Sequence, residues 1–116
     1  MNKREVGAIK EQLAVTFLRQ QGVRISAVNF RIRQGEIDLI GYDGAYLVFF
    51  EVKYRRSENF GSPLEAVGQE KIRRIYRTAQ HYLKTRNIDL QQPCRFDVIG
   101  IQGYQIVHIE NAFGGM

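Results

Sequence analysis

The chain has 116 residues, 44% of them hydrophobic and 25% charged, which is ordinary for a globular protein. This length predicts a single domain over residues 1–116 with one hydrophobic core. No apolar run approaches the roughly 20 residues of a membrane-spanning helix, which excludes a membrane protein of that kind. The first residues lack the features of a secretory signal, and the lone Cys94 cannot form an internal disulfide, so we expect a cytoplasmic protein.

The charge balance favours polyanionic partners, nucleic acid among them. Lysine and arginine total 17 against 12 acidic residues, which gives a net charge of +5 and a pI near 9.6. A basic surface that serves only solubility explains the same numbers equally well, because net charge changes non-specific affinity without naming a substrate.

Two segments have the three- and four-residue apolar spacing of amphipathic helices. The first covers residues 6–21 and ends before Gly22, a residue suited to the C′ position. Glu11 falls at the edge of its apolar stripe, where it either points into a cleft or is a solvated carboxylate. The second covers residues 69–86, and the run SPLE at residues 62–65 indicates an earlier helix start with a capping box.

Five further segments have the composition of β-strands. They are residues 24–32, 36–42, 46–54, 95–101 and 105–109. Asp43-Gly44 predicts a tight turn between the second and third strands, and Gly103 predicts one between the last two. The apolar run LVFFEV predicts a central third strand. The sequence therefore predicts an α/β fold in which a central mixed five-stranded sheet is flanked by helices.

One acidic residue, Glu51, lies inside the apolar third strand. An ionised carboxylate there costs several kcal/mol unless something compensates it. A divalent cation shared with Asp38 is one compensation, and an ion pair with Lys53 is another that would be purely structural. Two acids on adjacent strands, a neighbouring lysine and a basic helix after them together favour the cation.

The relative position of the two acids depends on the register of the hairpin. Side chains two residues apart on a strand share a face, which predicts Ile37 and Leu39 together on the face opposite Asp38. If Asp43 and Gly44 are the central turn residues, Asp38 pairs with Phe49 and lies diagonal to Glu51.

Hydrolysis of a phosphodiester needs this set of groups. Carboxylate oxygens bind Mg²⁺, and the metal activates water and offsets charge in the transition state. The predicted ligands are Asp38, Glu51 and the carbonyl of Val52, and Lys53 is predicted to lie over the attacking water.

The runs GEIDLI, FFEVKYRRSENFGSPLEAV, RFDVIGI and ENAF, with the basic helix between them, resemble the YraN-like family of bacterial endonucleases. That family lies in the PD-(D/E)xK nuclease superfamily, near the archaeal Holliday junction resolvases. The resemblance extends from residue 7 to residue 113 and implies the restriction-endonuclease-like fold. Within it, Glu11, Asp38, Glu51 and Lys53 match the helix glutamate, the acidic residue and the E-x-K of the resolvase-like site.

The resemblance also implies a function. It implies an endonuclease that hydrolyses DNA, structure-specific for branched or junction DNA, with Mg²⁺ or Mn²⁺ as metal. Ile37 stands where the superfamily name has proline, a departure usual among resolvase-like members. The resemblance further implies that Gln69 or Lys71 contacts phosphate, and symmetric cutting of a junction would need two sites, hence a homodimer.

A basic surface is predicted around these residues. Its members are Arg55, Arg56, Gln69, Lys71, Arg74 and Arg77. A solvated helix face explains the arginines of the second helix almost as well, whereas Arg55 and Arg56 directly follow E-x-K, which favours contacts with the nucleic-acid backbone.

Several alternatives stay open on the sequence alone. Tyr54 and Phe60 either pack in the core or stack on a base. His81 and His108 are isolated and are interpreted as surface or hydrogen-bonded histidines. For the whole chain, the alternatives to a nuclease are a non-catalytic nucleic-acid-binding or assembly module and a basic protein-interaction domain with a structural ion pair.

Overall fold

The computed structural model describes residues 2–55 and 68–114, apart from the side chain of Arg55. Its elements are helix α1 (Lys3–Gln20), strands β1 (Arg24–Ile32), β2 (Gly35–Asp43) and β3 (Tyr46–Arg55), helix α2 (Gln69–Thr85), and strands β4 (Cys94–Gln102) and β5 (Gln105–Ile109). All five predicted strands are confirmed, with ends that differ by at most one residue. The predicted helix start at residues 62–65 lies outside the described residues, as do Arg56 and Phe60.

Helix α1 begins and ends with local hydrogen bonds. The side chain of Asn2 accepts a hydrogen bond from the backbone N–H of Glu5, which satisfies one of the free donors of the first turn. At the other end Gly22 has a φ of +90°, and its N–H donates to the carbonyl of Arg19. The buried side of the helix packs on the sheet through Leu18 and its neighbours.

Alanine substitutions at two glycines of this region are expected to change the free energy of unfolding in opposite directions. Gly22→Ala is expected to lower the free energy of unfolding by about 1 kcal/mol, because the φ of +90° disfavours a side chain. Gly7→Ala is expected to raise it by about 0.5 to 1 kcal/mol, since Gly7 is exposed inside the helix and an added Cβ would have no atom within 4 Å. Urea denaturation of both variants checks the pair, and the same sign for both would contradict it.

The sheet has the strand order β1-β2-β3-β4-β5, and the helices cover its two faces. Within residues 2–55 and 68–114, β3 and β4 are the one parallel pair, and the chain connects them through α2. Alternate residues of β3 point to opposite faces of the sheet. Phe50 packs on the side of α1 and Phe49 on the side of α2. This mixed five-stranded sheet between two helices confirms the predicted fold class and is compatible with a restriction-endonuclease-like fold. Among the described residues, no helix is long and apolar enough to cross a membrane.

A buried carboxylate, Asp97 on β4, forms hydrogen bonds that connect β4 with β5. It accepts hydrogen bonds from Arg95 Nε at 3.0 Å and from the backbone N–H of Asn111 at 2.9 Å, and its Oδ2 lies 2.7 Å from His108 Nε2. Burial alone would raise the pKa of Asp97, but the hydrogen bonds from His108 and Arg95 outweigh it and the pKa is lowered. Arg95 also bonds Asp43 at 2.8 Å, so the cluster ties β4 to the β2–β3 hairpin. His108 is therefore a hydrogen-bonded histidine, as one of the two interpretations had it.

Candidate metal and nucleic-acid site

The hairpin between β2 and β3 turns one residue later than the sequence suggested. Asp43 pairs with Tyr46, so the central turn residues are Gly44 and Ala45. Gly44 adopts a φ of +60°, which its missing Cβ allows without strain. The predicted turn with Asp43 and Gly44 at its centre is wrong.

The later turn changes which residues face each other. Phe49 lies opposite Ile40, and the regular ladder ends one pair further on. Asp38 and Glu51 are the next residues on the two strands. The predicted pairing of Asp38 with Phe49 is therefore wrong, and the diagonal placement derived from it loses its basis.

Strand β2 departs from regular geometry at Asp38. The backbone N–H of Val52 donates to Asp38 Oδ2 at 2.8 Å, so the carboxylate accepts a bond from the neighbouring strand's backbone. Ile37 packs on the side of α2 and Leu39 on the side of α1, although they are two residues apart. The prediction that these two share a face is wrong, because strand alternation breaks between them. Asp38 thus lines a cavity on each side of the sheet.

Glu51 is the second acid of the site, and two lysines contact it. Its side chain is 7% exposed, and its Oε1 lies 2.6 Å from Lys71 Nζ and 3.4 Å from Lys53 Nζ. Lys71 comes from α2, so the helix predicted to carry phosphate contacts also reaches the E-x-K strand. The ion pair of the structural interpretation is present, and a second lysine joins it.

The pKa values of Asp38, Lys53 and Lys71 all depart from the ordinary values of these side chains. Burial and the negative charge of Glu51 raise the pKa of Asp38 to about 7, although the Val52 N–H works against the rise. Burial and the neighbouring Lys71 lower the pKa of Lys53, despite the attraction of Glu51. Burial also acts to lower the pKa of Lys71, but its hydrogen bonds to Glu51 and Lys53 outweigh this and the pKa is raised.

Glu11 lies on the α1 side of the same site. It lines a cavity of about 540 Å³ that Asp38 also lines, and its Oε1 accepts a hydrogen bond of 3.1 Å from the side-chain amide of Asn29. Asn29 has a φ of +53° inside β1, at the position across from Asp38. Sequence reasoning missed Asn29, because the only local signal is that asparagine tolerates left-handed backbone better than most residues.

A second cavity, of about 650 Å³, opens on the α2 side of Asp38, and four cationic side chains of the described residues line it together with Glu36, Asp38 and Glu51. The cations are Arg31, Arg33, Lys71 and Arg74. Arg74 is exposed and lies 3.9 Å from Glu70 one helical turn away. Gln69 and Arg77 are exposed on α2 but do not line this cavity, and the side chains of Arg55 and Arg56 lie outside the described part of the chain.

Comparison with known proteins identifies the family. The sequence model of the uncharacterised protein family UPF0102 matches residues 10–101. A UPF0102 protein of Alkaliphilus oremlandii is 48% identical over 97% of this chain and 100% of its own length. One of Lachnoclostridium phytofermentans is 45% identical over 97% of this chain and 96% of its own. The chain belongs to the UPF0102 family.

The residues of this UPF0102 chain fit a hard divalent cation through a small donor set. Within residues 2–55 and 68–114, no group of three or more His, Cys, Asp or Glu side chains is placed to hold a metal. Asp38 and Glu51 supply two carboxylates. The N–H of Val52 faces Asp38, and in an extended strand the carbonyl of a residue points to the same edge as its N–H. Two carboxylates and a carbonyl suit Mg²⁺, which keeps several waters when bound to protein.

Proposed function

We propose that this protein is a Mg²⁺-dependent endonuclease that hydrolyses DNA phosphodiesters, structure-specific for branched or junction DNA. One observation carries the proposal. Where the β2–β3 ladder ends, Asp38 accepts a hydrogen bond from the backbone N–H of Val52, the residue after Glu51, and Lys53 Nζ lies 3.4 Å from Glu51 Oε1. The resemblance to the PD-(D/E)xK nucleases supports it, because the same residues match the acidic and E-x-K positions of that superfamily.

Each residue has a role in this proposal. Asp38, Glu51 and the Val52 carbonyl hold the cation, which when bound offsets phosphate charge and makes water more acidic. Lys53 orients the water whose oxygen attacks phosphorus while the bond to the leaving sugar oxygen breaks. Glu11 faces the same site from α1.

The cationic cavity is proposed to hold the nucleic-acid backbone. Arg31, Arg33 and Arg74 surround Asp38 and Glu51 on the α2 side, where phosphate oxygens would approach the carboxylate-bound cation. On the described part of α2, the exposed Gln69 and Arg77 extend this surface along the flanking DNA in the proposal. Arg55 and Arg56, which follow E-x-K in the sequence, are assigned contacts with the same backbone. A homodimer would supply the two sites that symmetric cutting of a junction requires.

One contact favours a second candidate, a non-catalytic nucleic-acid-binding or assembly module. Lys71 Nζ lies 2.6 Å from Glu51 Oε1, so an ammonium group already neutralises a carboxylate that the cation would need. In a nuclease Lys71 must turn towards phosphate when the cation binds. In a binding module it stays on Glu51, and divalent ions leave the protein unchanged.

Cleavage assays on a panel of substrates test the proposal. Labelled four-way-junction, flap, duplex and single-stranded DNA are incubated with the protein in Mg²⁺ and then in Mn²⁺. The rate of cutting is expected to fall at least about a hundredfold in Asp38→Asn and Lys53→Ala, since loss of a residue that only supports a metal ligand already costs 10- to 100-fold. Glu110→Gln and Lys84→Ala are the matched controls, because both residues are exposed and lie outside the site.

The outcomes separate the two candidates. Cutting that is lost in both site variants and kept in both controls supports the nuclease. Binding without cutting in either metal favours the non-catalytic module. Cutting that survives Asp38→Asn contradicts the role assigned to Asp38.

A further inference from the structure

The cavity on the α1 side of Asp38 differs in chemistry from the cationic cavity on the other side. Its volume of about 540 Å³ lies within the range of small-molecule sites in proteins. We call it the α1 cavity. Its wall consists of Lys3, Val6, Gly7, Lys10, Glu11, Asn29, Glu36, Asp38, Val52 and Tyr54. It combines an aromatic and apolar surface with a polar edge.

An aromatic and cationic cluster stands at one side of this cavity. Lys10 Nζ lies 4.4 Å from the ring centroid of Tyr54 and 6.0 Å from that of Tyr104. Tyr104 lies in the turn between β4 and β5 and is 93% exposed. A fully exposed tyrosine beside a lysine is a surface on which a flat ring can stack, and a cation there can meet a phosphate.

We propose that the α1 cavity binds the base of an unpaired nucleotide next to the phosphate that is cut. The proposal rests on the proposed function, because it takes Asp38 as the place where that phosphate lies. Asp38 lines both cavities, so a strand whose phosphate lies there can extend its backbone over the cationic cavity and direct a base into the α1 cavity.

The charges of the α1 cavity select a base rather than a phosphate. Among the described residues, three carboxylates outnumber two lysines in the α1 cavity, whereas four cations outnumber three carboxylates in the cationic cavity. Glu11, Glu36 and Asp38 therefore disfavour a phosphate in the α1 cavity, whereas a base is neutral and its N–H groups donate to carboxylates. Asn29 and Glu11 are hydrogen-bonded to each other at 3.1 Å and present an amide and a carboxylate to the edge of such a ring. Tyr54 supplies the stacking face, and Lys10 moves from that face to the sugar-phosphate backbone.

The geometry also selects the state of the nucleotide. A base in a duplex is stacked and paired, so bringing it into a cavity costs a few kcal/mol, and least when it is already unpaired. A cavity of this kind therefore favours bulges, flaps and the open centre of a junction over a continuous duplex. The α1 cavity therefore accounts for the specificity for branched or junction DNA in the proposed function.

Binding of bulged duplexes tests the inference without any need for cleavage. One duplex carries a single unpaired 2-aminopurine nucleotide, and a second carries an abasic unit at the same place. Affinities are measured in Ca²⁺, with 2-aminopurine fluorescence as a second readout. Wild-type protein is expected to bind the bulged base about tenfold more tightly than the abasic bulge, which is typical of stacking on an aromatic side chain. The same probes made as RNA identify which nucleic acid supplies the base.

Three tyrosine variants localise the effect. Tyr54→Leu and Tyr104→Ala are expected to bring the base-to-abasic ratio close to one and to leave the affinity for continuous duplex unchanged. Tyr104 is too exposed for its loss to unfold the protein. Tyr46→Leu is the matched control, because Tyr46 lies at the other end of β3 and is 46% exposed. It is expected to keep the tenfold ratio.

The results distinguish this inference from the nuclease itself. A ratio near one in wild type, or a tenfold ratio that survives both Tyr54→Leu and Tyr104→Ala, overturns the base site. Cutting of the panel with a ratio of one keeps the nuclease and rejects the base site. A tenfold ratio that depends on the two tyrosines, without cutting in Mg²⁺ or Mn²⁺, supports the base site and rejects the nuclease.

Discussion

At pH 7 the Asp97→Asn variant is expected to have a free energy of unfolding about 3 to 5 kcal/mol below that of the wild type, the usual cost of removing one partner of a buried ion pair. Asp97 is 0% exposed and accepts hydrogen bonds from Arg95 and from the backbone of Asn111. An asparagine amide would turn an N–H towards one of these donors and leave the charge of Arg95 less well paired. Urea denaturation followed by circular dichroism measures the difference.

The pH dependence of this difference has a definite sign. The pKa of Asp97 is lowered below its ordinary value of 3.8, so the ionised carboxylate stabilises the fold at every pH above that value. The gap between wild type and variant is therefore expected to close as the pH falls below about 4. A gap that stays fully open well below this pH would contradict the assignment.

Glu110→Gln provides the matched control for Asp97. Glu110 lies 3.7 Å from the same Arg95, but its side chain is 60% exposed. Exposed ion pairs contribute little, so this variant is expected to stay within about 0.5 kcal/mol of wild type. Equal losses in the two variants would mean that the charge of Arg95, and not the burial of Asp97, sets the stability.

The elements were predictable because their signals are local. The spacing of the apolar residues and the helix-ending Gly22 define α1. Neither signal depends on the register of the strands. The hairpin register was not predictable in the same way. Glycine suits either central position of the turn, and moving the turn by one residue shifts the pairing by two, which leaves every side chain on its original face. The apolar pattern therefore cannot choose between the two registers.

From strand geometry alone, contacts within the site were predictable only between residues of one hairpin. Asp38 and Glu51 could be placed near each other because one tight turn connects their strands. The contact of Lys71 with Glu51 depends on how α2 lies across the sheet, and the contact of Asn29 with Glu11 depends on how α1 does. Neither packing arrangement produces a recognisable pattern of residue spacing in the sequence.

The meeting of Asp97 and His108 was within reach of sequence reasoning and was missed. A turn with Gly103 and Tyr104 at its centre brings Ile99 opposite His108, which is the observed pairing. Asp97 is two residues from Ile99 and on the same face, so it lies diagonal to the histidine. Counting outward from that turn would have predicted the contact.

Asp38→Asn is expected to stabilise the protein at pH 8 when no divalent ion is present, by about 2 kcal/mol. The folded pKa of Asp38 is about 7 against an ordinary value of 3.8. That difference corresponds to about 4 kcal/mol, and we take about half of it because Asp38 is partly open to solvent. Since the raised pKa makes the ionised form costly, wild-type stability falls as the pH rises from about 4 to about 7, and the variant lacks this loss. Urea denaturation at pH 4, 6 and 8 measures it.

Magnesium is expected to reverse the order of the two proteins. At a concentration of about 100 times its dissociation constant, an ion that binds only the folded state adds about 2.7 kcal/mol. Wild type should gain this and Asp38→Asn should not, while Glu110→Gln, which removes an exposed carboxylate outside the site, should respond like wild type. If Mg²⁺ stabilises wild type and Asp38→Asn equally, the ion binds elsewhere. If Mg²⁺ stabilises only wild type, Asp38 belongs to the cation site. Without the ion, the fold would be more stable without the charge of Asp38, so the stability lost in the ion-free protein is the cost of a preformed cation site.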